Sequence, residues 1–146
     1  MRPDDLQLRN LTYGWFVEQG RAPAAAELAA ELGIHSADVE AGWLRLHDAH
    51  ALVLDPPGQI RMANPFSAVP TAHRVEVEGR WWYASCAWDA FGVCAALHSD
   101  GRIETSCPDC AEALSIEVRD MKPDDDSLLF HCLVPARSWW DDVVFT

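Results

Sequence analysis

Trp81-Trp82-Tyr83-Ala84-Ser85-Cys86-Ala87-Trp88-Asp89-Ala90-Phe91-Gly92 is the segment that organises the chain. Residues 81–84 read as an aromatic strand, and 87–97 as a short, nearly all-apolar helix. Cys86 therefore sits where a strand hands over to a helix. Helix N-terminal amides and the positive end of the dipole favour a thiolate there. Asp89 lies three residues on, so its carboxylate shares a helical face with the cysteine. A soft nucleophile beside a proton carrier is a reactive pair. The same spacing also suits a buried cysteine next to a helix-capping aspartate.

Outward from this centre, His73-Arg74-Val75-Glu76-Val77-Glu78 alternates as a half-buried strand should, with Gly79-Arg80 as the turn. After the helix, His98-Ser99-Asp100-Gly101 reads as a turn, and residues 102–106 and 114–118 alternate again. An acidic loop spans 122–127. Residues 128–134 form a continuous apolar run, predicting a buried central strand with His131 as a satisfied core histidine. Residues 137–142 suggest a helical turn leading into Val143-Val144-Phe145-Thr146. Trp81, Trp82, Trp139 and Trp140 are expected to build core and pocket walls.

Upstream, Leu8, Leu11, Trp15 and Phe16 give residues 6–19 a helical period closed by Gly20. A second helix over 24–32 stops at Gly33. Ser36 caps a third with Val39, Trp43, Leu44 and Leu46 as its stripe. Residues 51–54 and 59–62 flank the turn Asp55-Pro56-Pro57-Gly58 as a hairpin. Residues 64–71, with two prolines, read as an ordered connection. The expected class is α+β: a helical, winged-helix-like unit over 1–63, then a unit over 64–146 with a small mixed β-sheet and a central short helix.

Twenty-three acidic against eleven basic residues leave a net charge of −12, which repels a phosphate backbone. The third helix carries Asp38, Glu40 and Asp48 against Arg45, the reverse of a DNA-reading helix. No nucleic-acid partner is expected, and the N-terminal unit reads as a scaffold. No apolar run reaches the length of a membrane span, and Met1-Arg2-Pro3-Asp4-Asp5 lacks a signal-peptide core. A cytoplasmic protein without a membrane partner is the expectation. A homodimer is one expected partner arrangement.

Five cysteines, an odd number with no secretory signal, argue for reduced thiols rather than a disulfide framework. Cys107-Pro108-Asp109-Cys110 is a single Cys-x-x-Cys on a turn, where a tetrahedral zinc site would need two such pairs. Cys107, Cys110 and Cys132 are candidate ligands for a soft metal, beside redox and purely structural readings. Cys94, eight residues after Cys86, can share its face but suits packing.

Asn64-Pro65-Phe66-Ser67-Ala68-Val69-Pro70-Thr71, followed by Tyr83-Ala84-Ser85-Cys86-Ala87-Trp88-Asp89, resembles the alkylmercury (organomercurial) lyase family, the MerB-like proteins. The likeness runs from about Asn64 to the end, and more loosely through the helical N-terminal part. It implies mercury resistance by protonolysis of a carbon–mercury bond. Cys86 would be the thiolate that grips substrate mercury, and Asp89 the shuttle that passes its proton to the leaving carbon. It further implies an organometallic small-molecule substrate, free thiols as acceptors of mercuric ion, no cofactor, and a structural role for Cys107. The family's second catalytic cysteine falls just after a Val-Phe-Thr segment, whereas this sequence ends at Thr146. A sequence cut before that residue, or a protein lacking it, would each follow. Two further readings remain: a non-catalytic thiolate protein binding mercury or copper, and the Cys86–Asp89 pair recruited to a different small-molecule lyase reaction. An acidic protein-binding module is the remaining alternative.

Overall fold

A computed structural model of the chain describes residues 3–142. The Val143-Val144-Phe145-Thr146 segment that follows the expected helical turn lies outside the described residues. Helix α1 spans Pro3–Gln19, α2 Ala25–Leu32 and α3 Ser36–Asp48. The hairpin β1 (Val53–Asp55) and β2 (Gln59–Ala63) follows. Then come β3 (Phe66–Ser67), β4 (His73–Val77), β5 (Arg80–Ala84), α4 (Ala87–Leu97), β6 (Gly101–Ser106), β7 (Ala113–Arg119) and β8 (Lys122–Pro123). A 3₁₀ turn covers Ala136–Ser138.

The helices pack through faces that mix apolar and polar residues. On α1 the buried side chains are Asp5, Leu8, Thr12 and Phe16, spaced at helical intervals. On α3 they are Val39, Trp43 and Leu46. Thr12 is fully buried yet satisfied. Its hydroxyl donates to the Leu8 carbonyl (2.8 Å) and accepts from the Trp43 indole (3.0 Å). Arg45 of α3 reaches back to the buried Asp5 carboxylate (2.6 Å). His35, not Ser36, occupies the N-cap of α3, and Ser36 is its first helical residue.

The sheet differs from the expected small mixed one. Its order is β1-β2-β3-β5-β4-β6-β7-β8, and every neighbouring pair is antiparallel. The hairpin β1–β2 joins the same sheet because β3, hidden in the proline-containing connection, bridges β2 to β5. The β4–β5 turn is Glu78-Gly79, both with positive φ (52° and 78°), as two-residue hairpin turns require. Arg80 is therefore already in the strand.

Strands β5 and β6 both run antiparallel to β4, which lies between them. The β5–α4–β6 connection thus crosses over β4, and α4 packs on all three strands. Trp82, Val75, Ile103 and Ile116 form a buried cross-strand row on the packed face. The Trp82 indole donates to the Phe16 carbonyl at the end of α1 (2.7 Å), and Phe16 stacks on Phe66 (5.8 Å). On the opposite face Trp81 lies between the guanidinium groups of Arg74 (4.3 Å) and Arg102 (5.6 Å). That face is half-exposed, the pattern of an antiparallel sheet covered on one side.

The apolar run 128–134 is not a strand. It is extended coil with Leu129 94% and Leu133 66% exposed, and His131 is exposed with it. The β7 edge is taken by the two-residue β8, so the run finds no hydrogen-bonding neighbour among the described strands. Phe130 of the run packs against Trp88 (5.7 Å). Further on, Trp140 stacks on His50 (4.3 Å), and the Trp139 indole donates to the Val134 carbonyl (3.1 Å). No helix is long and apolar enough to cross a membrane among the described residues.

Candidate active site

Cys86 is the N-cap of α4, in extended backbone (φ −148°, ψ 178°), and its carbonyl accepts the first helical bond from Ala90 (3.0 Å). The strand before it is held from two sides. Phe66 and Ser67 pair with Ala84 and Tyr83, and the Thr71 hydroxyl donates to the Ala84 carbonyl (2.6 Å). The same hydroxyl accepts the His73 amide (3.1 Å). The 64–71 connection is therefore a clamp on the residues leading into Cys86. Its Pro65 also sits on α4. A Cβ built on Gly92 would lie 2.9 Å from the Pro65 Cβ, so only glycine lets loop and helix approach this closely.

Asp89 occupies the first turn of α4, on the same side as Cys86, and both are half-buried. Burial pushes the Asp89 carboxyl up to about 6, with its interaction with the Cys86 thiol acting in the opposite direction. Burial also raises the Cys86 thiol; the amides of Asp89 and Trp88 oppose it, while the Asp89 charge reinforces it. The sulfur makes no capping hydrogen bond. This reverses the expectation of a thiolate set by the helix terminus. Desolvation outweighs the amides, so the resting pair near neutral pH is a protonated thiol beside a largely ionised carboxylate.

A second row borders the site. His73 faces Ala84 across the β4–β5 ladder, and its Nδ1 is hydrogen-bonded to the Thr105 hydroxyl (2.8 Å). Burial lowers the His73 pKa. Tyr13 of α1 donates to the Ala51 carbonyl (2.7 Å) and feels the Asp89 charge. Neither His73, Thr71 nor Tyr13 belongs to a chemical motif readable from spacing. Thr71 closes the Asn64–Thr71 segment that carries the family resemblance, whereas His73 and Tyr13 had no signal beyond their strand and helix periods.

The other thiols are dispersed. Cys94 is 1% exposed and packs on Gly101, whose added Cβ would lie 2.9 Å from its sulfur. It is a packing residue. Cys107 and Cys110 share the β6–β7 turn, where the Cys107 amide donates to Glu112 and Ala111 donates back to the Cys107 carbonyl (2.9 Å each). The amides of Cys110 and Asp109, with the Cys110 thiol, hold the Cys107 pKa below its usual value. Cys132 is exposed in the coil, its thiol donating to the Val134 carbonyl (2.9 Å). Among the described residues no group of three or more His, Cys, Asp or Glu side chains forms a metal-holding cluster. An apolar hollow of about 340 Å³ flanks α4, lined by Trp88, Phe91, Gly92, Ala95, Val118 and Met121 among others. Neither Cys86 nor Asp89 lines it.

Comparison with known proteins follows the same residues. No curated protein sequence matches the chain. A solved structure described as the mercury-bound form of MerB2 superposes with a TM-score of 0.67 at 22% identity. The match covers 86% of this chain and 60% of that one, so the chain spans less than two thirds of its relative's length. At that identity the likeness establishes the fold: helices with an antiparallel sheet. The alkylmercury lyase family model matches residues 66–146, more than half of the chain and the whole of the Cys86–Asp89 region. By that match the chain belongs to the alkylmercury lyase (MerB) family.

Proposed function

We propose that this protein cleaves carbon–mercury bonds by protonolysis, with Cys86 as the mercury-binding thiol and Asp89 as the proton carrier. The observation that carries the reading is the placement of the pair, with Cys86 at the N-cap of α4 and Asp89 half-buried beside it in the first turn, where burial raises its carboxyl to about 6. A substrate R–Hg–X meets the Cys86 thiol, the sulfur–mercury bond forms, X⁻ leaves, and the thiol proton passes to Asp89. A carboxyl group with this pKa is basic enough to take that proton and acidic enough to give it up at neutral pH. A second thiolate then adds to mercury, and soft sulfur donors push electron density toward the carbon. Asp89 protonates that carbon as the carbon–mercury bond breaks. The products are R–H, mercuric ion held by two sulfurs, and ionised Asp89. A free thiol in solution supplies the second sulfur.

We further read residues 1–63 as a winged-helix-like scaffold and 64–146 as the catalytic unit. The Trp82–Phe16 and Tyr13–Ala51 hydrogen bonds support this, since α1 braces both β5 and the hairpin that extends the sheet. The test is benzene release from phenylmercury in excess free thiol. Wild type should release one equivalent per turnover and Cys86→Ser none. Equal release from both would refute the reading.

A further inference from the structure

The turn Cys107-Pro108-Asp109-Cys110 is not used by this mechanism, yet its position relates it to Cys86. In the sheet, Ala84 of β5, His73 of β4 and Thr105 of β6 lie in one cross-strand row. Strands β5 and β6 point the same way on either side of β4. Cys86 is two residues beyond Ala84, and Cys107 two residues beyond Thr105. Both thiols therefore leave the sheet at the same end. At the level of the row their strands are two inter-strand spacings apart, about 10 Å. The turn itself is closed by the Cys107–Glu112 and Ala111–Cys107 backbone bonds, with Ala111 at φ 59°. That closure places both cysteines on one short tip, with Cys110 exposed to solvent.

We infer that the Cys107–Cys110 turn is a two-sulfur acceptor site for inorganic mercuric ion, placed beside Cys86 to take the metal product from it. A soft d¹⁰ cation is satisfied by two thiolates, so the lack of a third and fourth ligand among the described residues, which argues against zinc, does not argue against mercury. Two thiols on one tip also compete with a monothiol through effective concentration, since the second bond closes within the same chain. The transfer balances as a thiol exchange. Cys86–S–Hg–S–R′ reacts with a Cys107 thiolate and the Cys110 thiol. Two sulfur–mercury bonds form at the turn and two break. The Cys110 proton ends on Cys86, and R′S⁻ leaves. The step regenerates the protonated Cys86 thiol for another turnover.

This inference rests on the proposed lyase reaction for the source of its metal, but binding is tested without that reaction. The full chain carrying Cys86→Ser is given one equivalent of mercuric chloride in excess glutathione and passed through a desalting column. It should retain about one mercury per chain. Adding Cys110→Ser should lower retention at least tenfold, while adding Cys132→Ser should leave it unchanged. Because Cys110 is exposed at a turn tip, its serine variant keeps the strands on either side intact. A second readout needs no further substitution: mercuric ion should protect Cys107 and Cys110, but not Cys132, from alkylation. Failure of Cys86→Ser to retain metal, retention indifferent to Cys110, or protection centred elsewhere would overturn the inference. Benzene release by wild type is read separately. Its absence alongside retention at the turn would refute the lyase reading and not the acceptor site.

Discussion

The Asp89 carboxylate lies against the Cys86 thiol across the first turn of α4, and each makes the other harder to ionise or easier to keep charged. The carboxylate's charge raises the thiol, and the thiol's hydrogen bond pulls the carboxyl down from where burial alone would put it. The pair therefore stores one proton in the place where the proposed reaction needs it.

Turnover should depend on the ionised form of Asp89, because only a carboxylate can accept the thiol proton. The rate with phenylmercury should rise with pH through an inflection near 6. Asp89→Asn should abolish turnover while leaving phenylmercury bound to Cys86. A profile measured between pH 5 and 8 checks this, and an inflection that survives in Asp89→Asn would contradict it.

The same shift predicts a stability penalty with a definite sign. The carboxyl is raised from 3.8 to about 6 on folding, so the folded state disfavours the charged form. The penalty is absent below the unfolded value and fully present above the folded one. At pH 7 it is on the order of 3 kcal/mol as an upper bound. Asp89→Asn should therefore stabilise the chain in urea unfolding at pH 7 to 8, with the gain fading as pH falls toward 4. A variant that is inactive and more stable is the mark of a residue kept for chemistry.

Thr71 holds the strand that delivers Cys86. Replacing it with valine removes the bond to the Ala84 carbonyl and leaves that carbonyl and the His73 amide without this partner. Thr71→Val should cost about 1–3 kcal/mol in stability and lower kcat with little change in mercury binding. Thr71→Ser should recover most of both. Steady-state kinetics of the two variants separates positioning from general damage.

Much of this fold and site is legible in the sequence, and the exceptions share a cause. The α4 boundaries and the Cys86 junction were legible because an aromatic strand followed by an unbroken apolar helix is a local pattern. β3 was not, since two residues between prolines carry no period. The polar pair Thr12–Trp43 escaped a reading that looks for apolar stripes, although it fills the middle of the α1–α3 contact. The run 128–134 misled in the opposite sense: continuous hydrophobicity states that residues prefer burial, not that a neighbour exists to bury them. The thiolate expected at Cys86 failed on a balance of magnitudes, because spacing reveals the helix amides but not the desolvation they must overcome.

Gly92→Ala offers a packing test of the clamp. The added methyl meets the rigid Pro65 ring at 2.9 Å, so α4 or the loop must move. The expected cost is about 1–3 kcal/mol despite the better helix propensity of alanine, with reduced turnover. Gly14→Ala on α1, where nothing lies within 4 Å, should instead stabilise by up to about 1 kcal/mol. Thermal unfolding of the two variants gives opposite signs if the contact is as described.

Thr12→Val tests the α1–α3 brace. It leaves the buried Trp43 indole N–H without its acceptor, at an expected cost of about 1–3 kcal/mol and no change in the pH inflection of the surviving activity.

The most direct measurement is the intact mass of the protein after one equivalent of phenylmercury with free thiol present, taken for wild type, Asp89→Asn and Cys86→Ser. Wild type should lose the phenyl group and carry mercury alone, or none after transfer to thiol. Asp89→Asn should carry phenylmercury intact on Cys86, and Cys86→Ser should not cleave it. Loss of the phenyl group from Cys86→Ser at the wild-type rate would contradict the assignment of this pair as the reacting centre.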